Sequence, residues 1–293
     1  MSEHHVNSRR VRDAFSRAVD SYDEHAVLQR EVADRLVNHL EFTKIKPGRI
    51  LDIGCGTGYC TRLLRERFKR AHVHGLDVSA AMLAKANEST PRGMPWHGRR
   101  RFQQGDAMCL PYRDGAFDLV CSNLTMQWVA DPEQMLAEMR RVLAPGGLIL
   151  FSTFGRRTLS ELRQSLADVA HENAGLVLPF PDVMTLGDAM MKLPVELPVT
   201  DSDIFTLTYP DTMALVRELK RLGASSSAIA NRPGGLYGRG LLKKLDQTYG
   251  ESHRMEDGRI RATFEALYAQ AWYAEEPFKP KGEIIPIELE HEA

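Results

Sequence analysis

A chain of 293 residues has room for one large domain or two small ones, and 43% hydrophobic with 26% charged residues is ordinary for a soluble globular protein. Lys and Arg (38) balance Asp and Glu (39), so the formal net charge of -1 argues against a dedicated nucleic-acid binder. No run approaches the roughly 18 apolar residues that span a bilayer. The N-terminus has no apolar stretch of signal-peptide type, so a cytoplasmic protein without membrane contact is expected. Cys55, Cys60, Cys109 and Cys121 show neither C-x-x-C spacing nor a following His cluster, and read as reduced core thiols with no metal.

In chain order, residues 1 to 8 read as disordered, and Arg9 to Asp23 is a mixed basic and aromatic segment. Leu28, Val32, Leu36 and Leu40 recur at helical spacing with Ala33 and Val37, which predicts one apolar helix face. Pro47-Gly48 ends this N-terminal helical cap (9–45). Ile50 to Ile53 is an apolar run fit for a central parallel strand. Thr57 to Phe68 follows as a helix, then a strand at Val73 to Leu76, and Ser79 is a good N-cap for a helix carrying Met82, Leu83 and Ala86. Residues 89 to 100 read as a loop, Phe102 to Gln104 as a short strand, and Phe117 to Cys121 as a fourth. Asp131-Pro132 starts a helix that Pro145-Gly146-Gly147 is expected to stop, before a fifth strand from Leu148 to Thr153. Five strands alternating with helices predict a doubly wound parallel sheet.

The second half is less regular. Helices are expected over Thr158 to Glu172, Asp182 to Lys192, Asp211 to Leu222 and Leu241 to Tyr249, with strands over Ile204 to Tyr209 and Ala262 to Trp272. No internal repeat or interdomain linker is visible. The tail after Pro277 is expected to fray.

The first strand runs into Gly54-Cys55-Gly56-Thr57-Gly58. A dinucleotide fingerprint needs Gly or Ala one place later, where Tyr59 stands. Asp52 precedes the loop; a carboxylate there would repel a pyrophosphate and attract an ammonium. Asp77 closes the second strand, where an acid can hold ribose hydroxyls. An adenosine with an amino-acid tail, S-adenosylmethionine, satisfies all three observations. Gly235 to Gly240 lacks the Lys of a phosphate loop, so a nucleotide triphosphate site is rejected.

The blocks Asp52 to Gly58, Asp77, Gly105-Asp106-Ala107, Phe117 to Val120 and Leu143 to Gly147 resemble those of class I S-adenosylmethionine-dependent methyltransferases. The resemblance implies a Rossmann-like α/β fold with a seven-stranded, mostly parallel sheet and a helical lid insertion. It implies a cofactor set of Asp52, Gly54, Gly56, Gly58, Asp77, Val78, Met82, Asp106, Ala107, Asn123 and Leu124, with Asp106 on the adenine amino group and Met82 on the adenosine.

The outer blocks are Phe15 to Ala26, Ser122 to Trp128, Leu219 to Ala224 with Arg232 and Leu236, and Ala262 to Tyr268. Together they resemble the malonyl-[acyl-carrier protein] O-methyltransferases of biotin synthesis, over roughly Val11 to Trp272. The tail and the Arg99 to Arg101 loop are not explained by it. The resemblance implies one methyltransferase domain with a core over 49–209 and 260–273, a lid over 210–255 and a tail over 277–293. The implied substrate is a malonyl thioester of acyl-carrier protein or coenzyme A. A carboxylate is already a nucleophile at neutral pH, so no general base is sought. Candidate catalytic residues are Tyr22, as a hydrogen-bond donor near the methyl group, Arg232, steering the carboxylate, and Gln127 and Trp128, as pocket wall. A methyltransferase acting on another small acceptor, such as a quinone or another carboxylic acid, an NAD-dependent oxidoreductase and a non-catalytic scaffold are the competing readings.

Overall fold

The computed structural model describes residues 6–89, 101–169, 180–222 and 239–273. The helical cap is α1 (Ser8–His25) and α2 (Val27–Asn38), followed by a short 3-10 turn (His39–Phe42). α1 is one helix through the whole basic and aromatic segment, N-capped by Asn7. Its buried stripe is only Val11, Ala14 and Ala18. The wide apolar face predicted for α2 is fully realised, with Val32 and Leu36 at 0% exposure.

The core alternates β1 (Arg49–Ile53), α3 (Tyr59–Arg67), β2 (His72–Asp77), α4 (Ala80–Ser89), β3 (Arg101–Gln104), β4 (Phe117–Ser122), α5 (Pro132–Val142) and β5 (Leu143–Phe154). α6 (Ser160–Val169), α7 (Val183–Met191), β6 (Val195–Tyr209), α8 (Thr212–Arg221), α9 (Arg239–His253) and β7 (Ile260–Tyr273) complete it. The seven strands are ordered β3-β2-β1-β4-β5-β7-β6. β1 to β5 are mutually parallel, and β7 runs antiparallel to both β5 and β6. The order reverses between β1 and β4, and such a switch point opens a crevice at the carboxyl ends of the strands.

Side chains leave the sheet on alternate faces. Ile50, Leu119, Leu148 and Leu150 pack with α2, α3 and α6, whereas Leu51, Ile53, Val120, Ile149 and Phe151 pack with α5 and α7. This double covering is why β1, β4 and β5 read as continuous apolar runs.

Several boundaries move by a few residues, among them the last helix, α9, which runs to His253 rather than Tyr249, and two of the differences have a clear physical reason. α5 stops at Val142, before the Pro-Gly-Gly turn, because Leu143 is already extended and pairs with Phe117. The ladder is irregular between Phe117 and Leu119, and Gly146 takes φ +72° inside the strand. β6 begins nine residues earlier than Ile204, at Val195. It is the sheet edge, largely exposed, with Pro198 beside a register shift between Glu196 and Val199. Polar residues and proline are admissible on such a strand, and they conceal it from a search for apolar runs.

Candidate functional site

The cavity at the carboxyl ends of β1, β2 and β4 has an empty volume of about 1230 Å³ including its open mouth. The loop after β1 forms its floor. Gly54 and Cys55 donate backbone N–H bonds to the Leu76 carbonyl (2.7 and 3.0 Å), folding the loop back onto β2. Gly54 has φ +69°, and a Cβ there would lie 2.0 Å from Thr125 Oγ1, so only glycine fits. Gly56 has φ +52° and lines the cavity, yet a Cβ there would meet nothing within 4 Å. That open cradle lets a ligand lie against the backbone, as the expected S-adenosylmethionine requires.

Asp77 stands beside this floor. Its Oδ2 accepts from Gly56 N–H (2.9 Å) and its Oδ1 from Ser79 N–H (2.8 Å). Burial raises its pKa, against the lowering effect of these backbone donors. Each carboxylate oxygen keeps a lone pair free for a ribose hydroxyl. Val78, Met82, Asp106 and Ala107 continue the wall. Met82 is 1% exposed overall, and Asp106 is braced by accepting from Met108 N–H at 2.9 Å.

The opposite wall comes from the end of β4. Asn123 reaches across two elements: its amide donates to the Gln29 carbonyl of α2 (3.0 Å) and accepts from Ser152 Oγ (2.7 Å). Leu124 sits at φ +48°, held by N–H bonds to the Ser152 carbonyl and hydroxyl, both 3.1 Å. A bulky residue in the left-handed region costs about 1–2 kcal/mol, tolerated where surroundings impose it. Gln127 donates to the Leu124 carbonyl (2.8 Å) and accepts from Thr153 (3.2 Å), so its amide braces this turn. Trp128 meets the edge of Phe15 at 5.5 Å, and Phe15 in turn packs on Tyr22 at 6.3 Å.

α1 is tied directly to the cofactor end. Asp23 accepts from Thr57 Oγ1 at 2.6 Å, and Ser16 and Ser79 share a hydroxyl bond of 2.8 Å. This places Tyr22 on the cavity wall. Burial, reinforced by the charges of Asp77 and Asp23, raises its phenol pKa, so the hydroxyl stays protonated and serves as a donor. Asp77, Asp106 and Glu218 are the lining carboxylates, and no Lys or Arg lines the cavity among the described residues. Such a lining favours a cationic ligand.

Twelve of the fifteen residues predicted for the site line the cavity. Gly58 does not line the cavity but caps α3 at φ +83°. Arg232 lies outside the described residues.

Asp52 corrects the sequence reading. It is 0% exposed and does not line the cavity. With a side-chain period of two it leaves β1 on the face of Ile50, beneath α3. There its Oδ2 accepts from Thr61 Oγ1 at 2.5 Å, while Oδ1 has no partner among the described residues. Burial pushes its pKa up to about 7 despite the Thr61 bond.

Asp52 is paired in register with Cys121, and with Cys60 the potential ligand atoms lie within 4.8 Å of one another. Sequence spacing did not reveal this group. A metal would need the thiols ionised, whereas the Cys121 contact and burial raise the pKa of Cys60.

Sequence reasoning also missed His25, Gln29, Thr125, Phe154, Leu207 and Glu218, which line the cavity. They come from six separate stretches and share no motif. Phe15 was available: it lies seven residues before Tyr22 on one helix, hence on the same face.

Residues 51–151 match the sequence model of a family described as "Methyltransferase domain". The chain is similar to the malonyl-[acyl-carrier protein] O-methyltransferase of Halorhodospira halophila, at 43% identity over 91% of this chain and 88% of that protein. Proteins of the same name from Methylovorus sp. and Laribacter hongkongensis are each 39% identical over 91% and 92% of this chain, and over 89% and 90% of their own lengths. Among solved structures, the YcgJ protein of Bacillus subtilis superposes with TM-score 0.57 at 14% identity, covering 84% of this chain and 99% of that one. An S-adenosylmethionine-dependent methyltransferase of Thermotoga maritima gives 0.51 at 18% identity, covering 89% and 99%. These two likenesses bear on the fold alone.

Proposed function

The chain belongs to the malonyl-[acyl-carrier protein] O-methyltransferases, and on that premise we propose that it methylates the free carboxylate of malonyl-acyl-carrier protein, using S-adenosylmethionine. The observation that carries the assignment is the reach of the likeness, which covers 91% of the chain and so includes the elements outside the common fold. The methyl ester would serve the pimeloyl stage of biotin synthesis. On this reading the chain is one methyltransferase domain, and residues 210–255 are its substrate side, since α8 supplies Glu218, Leu219 and Leu222 to the cavity.

S-adenosylmethionine, when bound, would supply a methyl group on a sulfonium; the carboxylate oxygen gains the bond to that carbon as the sulfur–carbon bond breaks, and its electron pair returns to sulfur as the neutral thioether S-adenosylhomocysteine. No residue need remove a proton, because the acceptor is ionised at neutral pH. The chain's contribution is alignment and exclusion of water. Gly56 and Asp77 fix the donor end, and the Gln127–Leu124–Asn123 brace fixes the wall opposite. Trp128, Phe15 and Tyr22 close an aromatic side. A cation and an anion that react to give neutral products benefit from such surroundings, because an apolar wall solvates charges worse than it solvates neutral molecules. The Tyr22 hydroxyl, held protonated, can orient the carboxylate by a single hydrogen bond without proton transfer. Arg232 retains its expected role in steering the carboxylate.

The test is methyl transfer from labelled S-adenosylmethionine to malonyl-acyl-carrier protein, malonyl-coenzyme A and free malonate. Transfer is expected to the thioesters, the carrier protein foremost. Binding of S-adenosylmethionine with no transfer to any of the three would refute the malonyl assignment.

A further inference from the structure

A second concavity lies on the flank of α8, outside the cavity described above. Its lining includes Arg217, Arg221 and Arg259, with Thr208, Tyr209 and Glu218. Arg217 and Arg221 are one helical turn apart and present their guanidinium groups along one stripe.

The three cations are weakly neutralised. The nearest carboxylate to Arg217 is Asp211 at 3.8 Å, and Asp211 already caps α8 by accepting from Ala214 N–H at 2.6 Å. Arg221 has its guanidinium 3.3 Å from the His25 ring nitrogen. Arg259 is held by the Thr208 hydroxyl (2.9 Å) and carbonyl (2.7 Å), which orient it without cancelling its charge. Glu218 accepts from Tyr209 at 2.9 Å. No carboxylate lies within ion-pair distance of Arg221 or Arg259 among the described residues.

The groove and the cavity adjoin. Glu218 lines both, and His25 lines the cavity while meeting Arg221 at the groove. On α8, Leu219 and Leu222 face the cavity, and Arg217 and Arg221 occupy the adjacent stripe.

We propose that this arginine groove binds the phosphate of the phosphopantetheine arm that carries the malonyl thioester. The proposal rests on the malonyl-thioester reading above. Such an arm has a thioester at one end and a phosphate ester at the other. The cavity holds three carboxylates and no described Lys or Arg, so it offers a phosphate no cationic partner. The adjoining groove offers guanidinium forks suited to two phosphate oxygens. Acyl-carrier protein and coenzyme A share this phosphate, so the groove recognises either source.

The experiment compares malonyl-pantetheine with malonyl-4′-phosphopantetheine as acceptors, for the wild-type chain and for an R217Q/R221Q variant. The wild-type chain is expected to show a KM about tenfold lower for the phosphorylated arm, as for charge-assisted hydrogen bonds. In R217Q/R221Q that ratio should fall towards one, chiefly through KM. R221K, which keeps the charge but loses the fork, should retain part of it. Thermal unfolding and S-adenosylmethionine titration check that each variant is folded.

A wild-type ratio below about twofold, or equal weakening of both arms in the variant, overturns the proposal and leaves the malonyl reading standing. So does a defect seen with malonyl-acyl-carrier protein but absent with malonyl-coenzyme A, which would indicate protein docking instead. No transfer to any malonyl thioester overturns both readings.

Discussion

Replacing Asp52 by Asn should change the pH dependence of stability more than stability itself. Asp52 is 0% exposed, with one oxygen bonded to Thr61 and the other unpartnered. Its pKa rises from 3.8 to about 7, chiefly by burial. The folded state therefore holds a proton that the unfolded chain has released between about pH 4 and pH 7. Stability from this group is present below the unfolded value, falls as pH rises through the folded one, and is level above it. The full difference is about 4 kcal/mol, and more than half of it falls between pH 5 and pH 8. Asn cannot ionise, so D52N should lack this slope. Its amide brings an unpartnered donor costing about 1–3 kcal/mol, but that cost is the same at every pH. Urea unfolding of both proteins at pH 5, 6, 7 and 8 separates slope from offset. Groups remote from Asp52 contribute equally to both curves and cancel in the difference, whereas Asp77, whose charge acts on Asp52, titrates together with it and belongs to the slope being measured. Curves that stay parallel within about 0.5 kcal/mol would refute the reasoning, because Asp52 would then ionise in the folded state as it does in water.

Gly54 and Gly56 should fail differently. G54A places a methyl group 2.0 Å from Thr125 Oγ1 at φ +69° and should cost more than about 3 kcal/mol in denaturant unfolding. G56A meets no protein atom, so it should cost only about 1–2 kcal/mol of backbone strain while weakening S-adenosylmethionine binding at least about tenfold by calorimetry. Y22F should leave S-adenosylmethionine affinity within about twofold and lower kcat about tenfold, the worth of one hydrogen bond to a charged group. Because the phenol pKa is raised, the wild-type rate should show no tyrosine limb below about pH 10. N123A removes bonds to Gln29 and Ser152, and should lower stability by about 1–3 kcal/mol and loosen α2, read as faster amide exchange there.

Much of the core was legible because its signals are local. Asp131-Pro132 begins α5 by a cap and a fixed φ, and the sheet's central strands are apolar on both faces. α1 was harder to delimit, since three small or branched residues carry its buried stripe and its aromatic residues serve the cavity instead. β6 was half missed because an exposed edge admits polar residues and Pro198. In the site, the glycine loop and Asp77 were readable from spacing within one βαβ run, whereas Asp106 came from the family resemblance. His25, Leu207, Glu218 and Phe264 were not, because only the tertiary fold brings α1, β6, α8 and β7 to one mouth. Asp52 was misassigned for a geometric reason. Position along a strand places a residue near a loop, but parity decides which face its side chain takes.

The position of β7 also constrains how the sheet is assembled during synthesis. It pairs with β5 on one side and β6 on the other, although it follows both in the chain. Until residues 260–273 have left the ribosome, β5 has one open edge and β6 has no neighbour in the sheet. The nascent chain thus holds an unpaired, apolar strand edge while roughly a hundred further residues are made, at about 5–20 residues per second. Closure by a late-arriving central strand is a non-local pairing of the slow kind, and β5 is the edge at which premature association with another chain would begin.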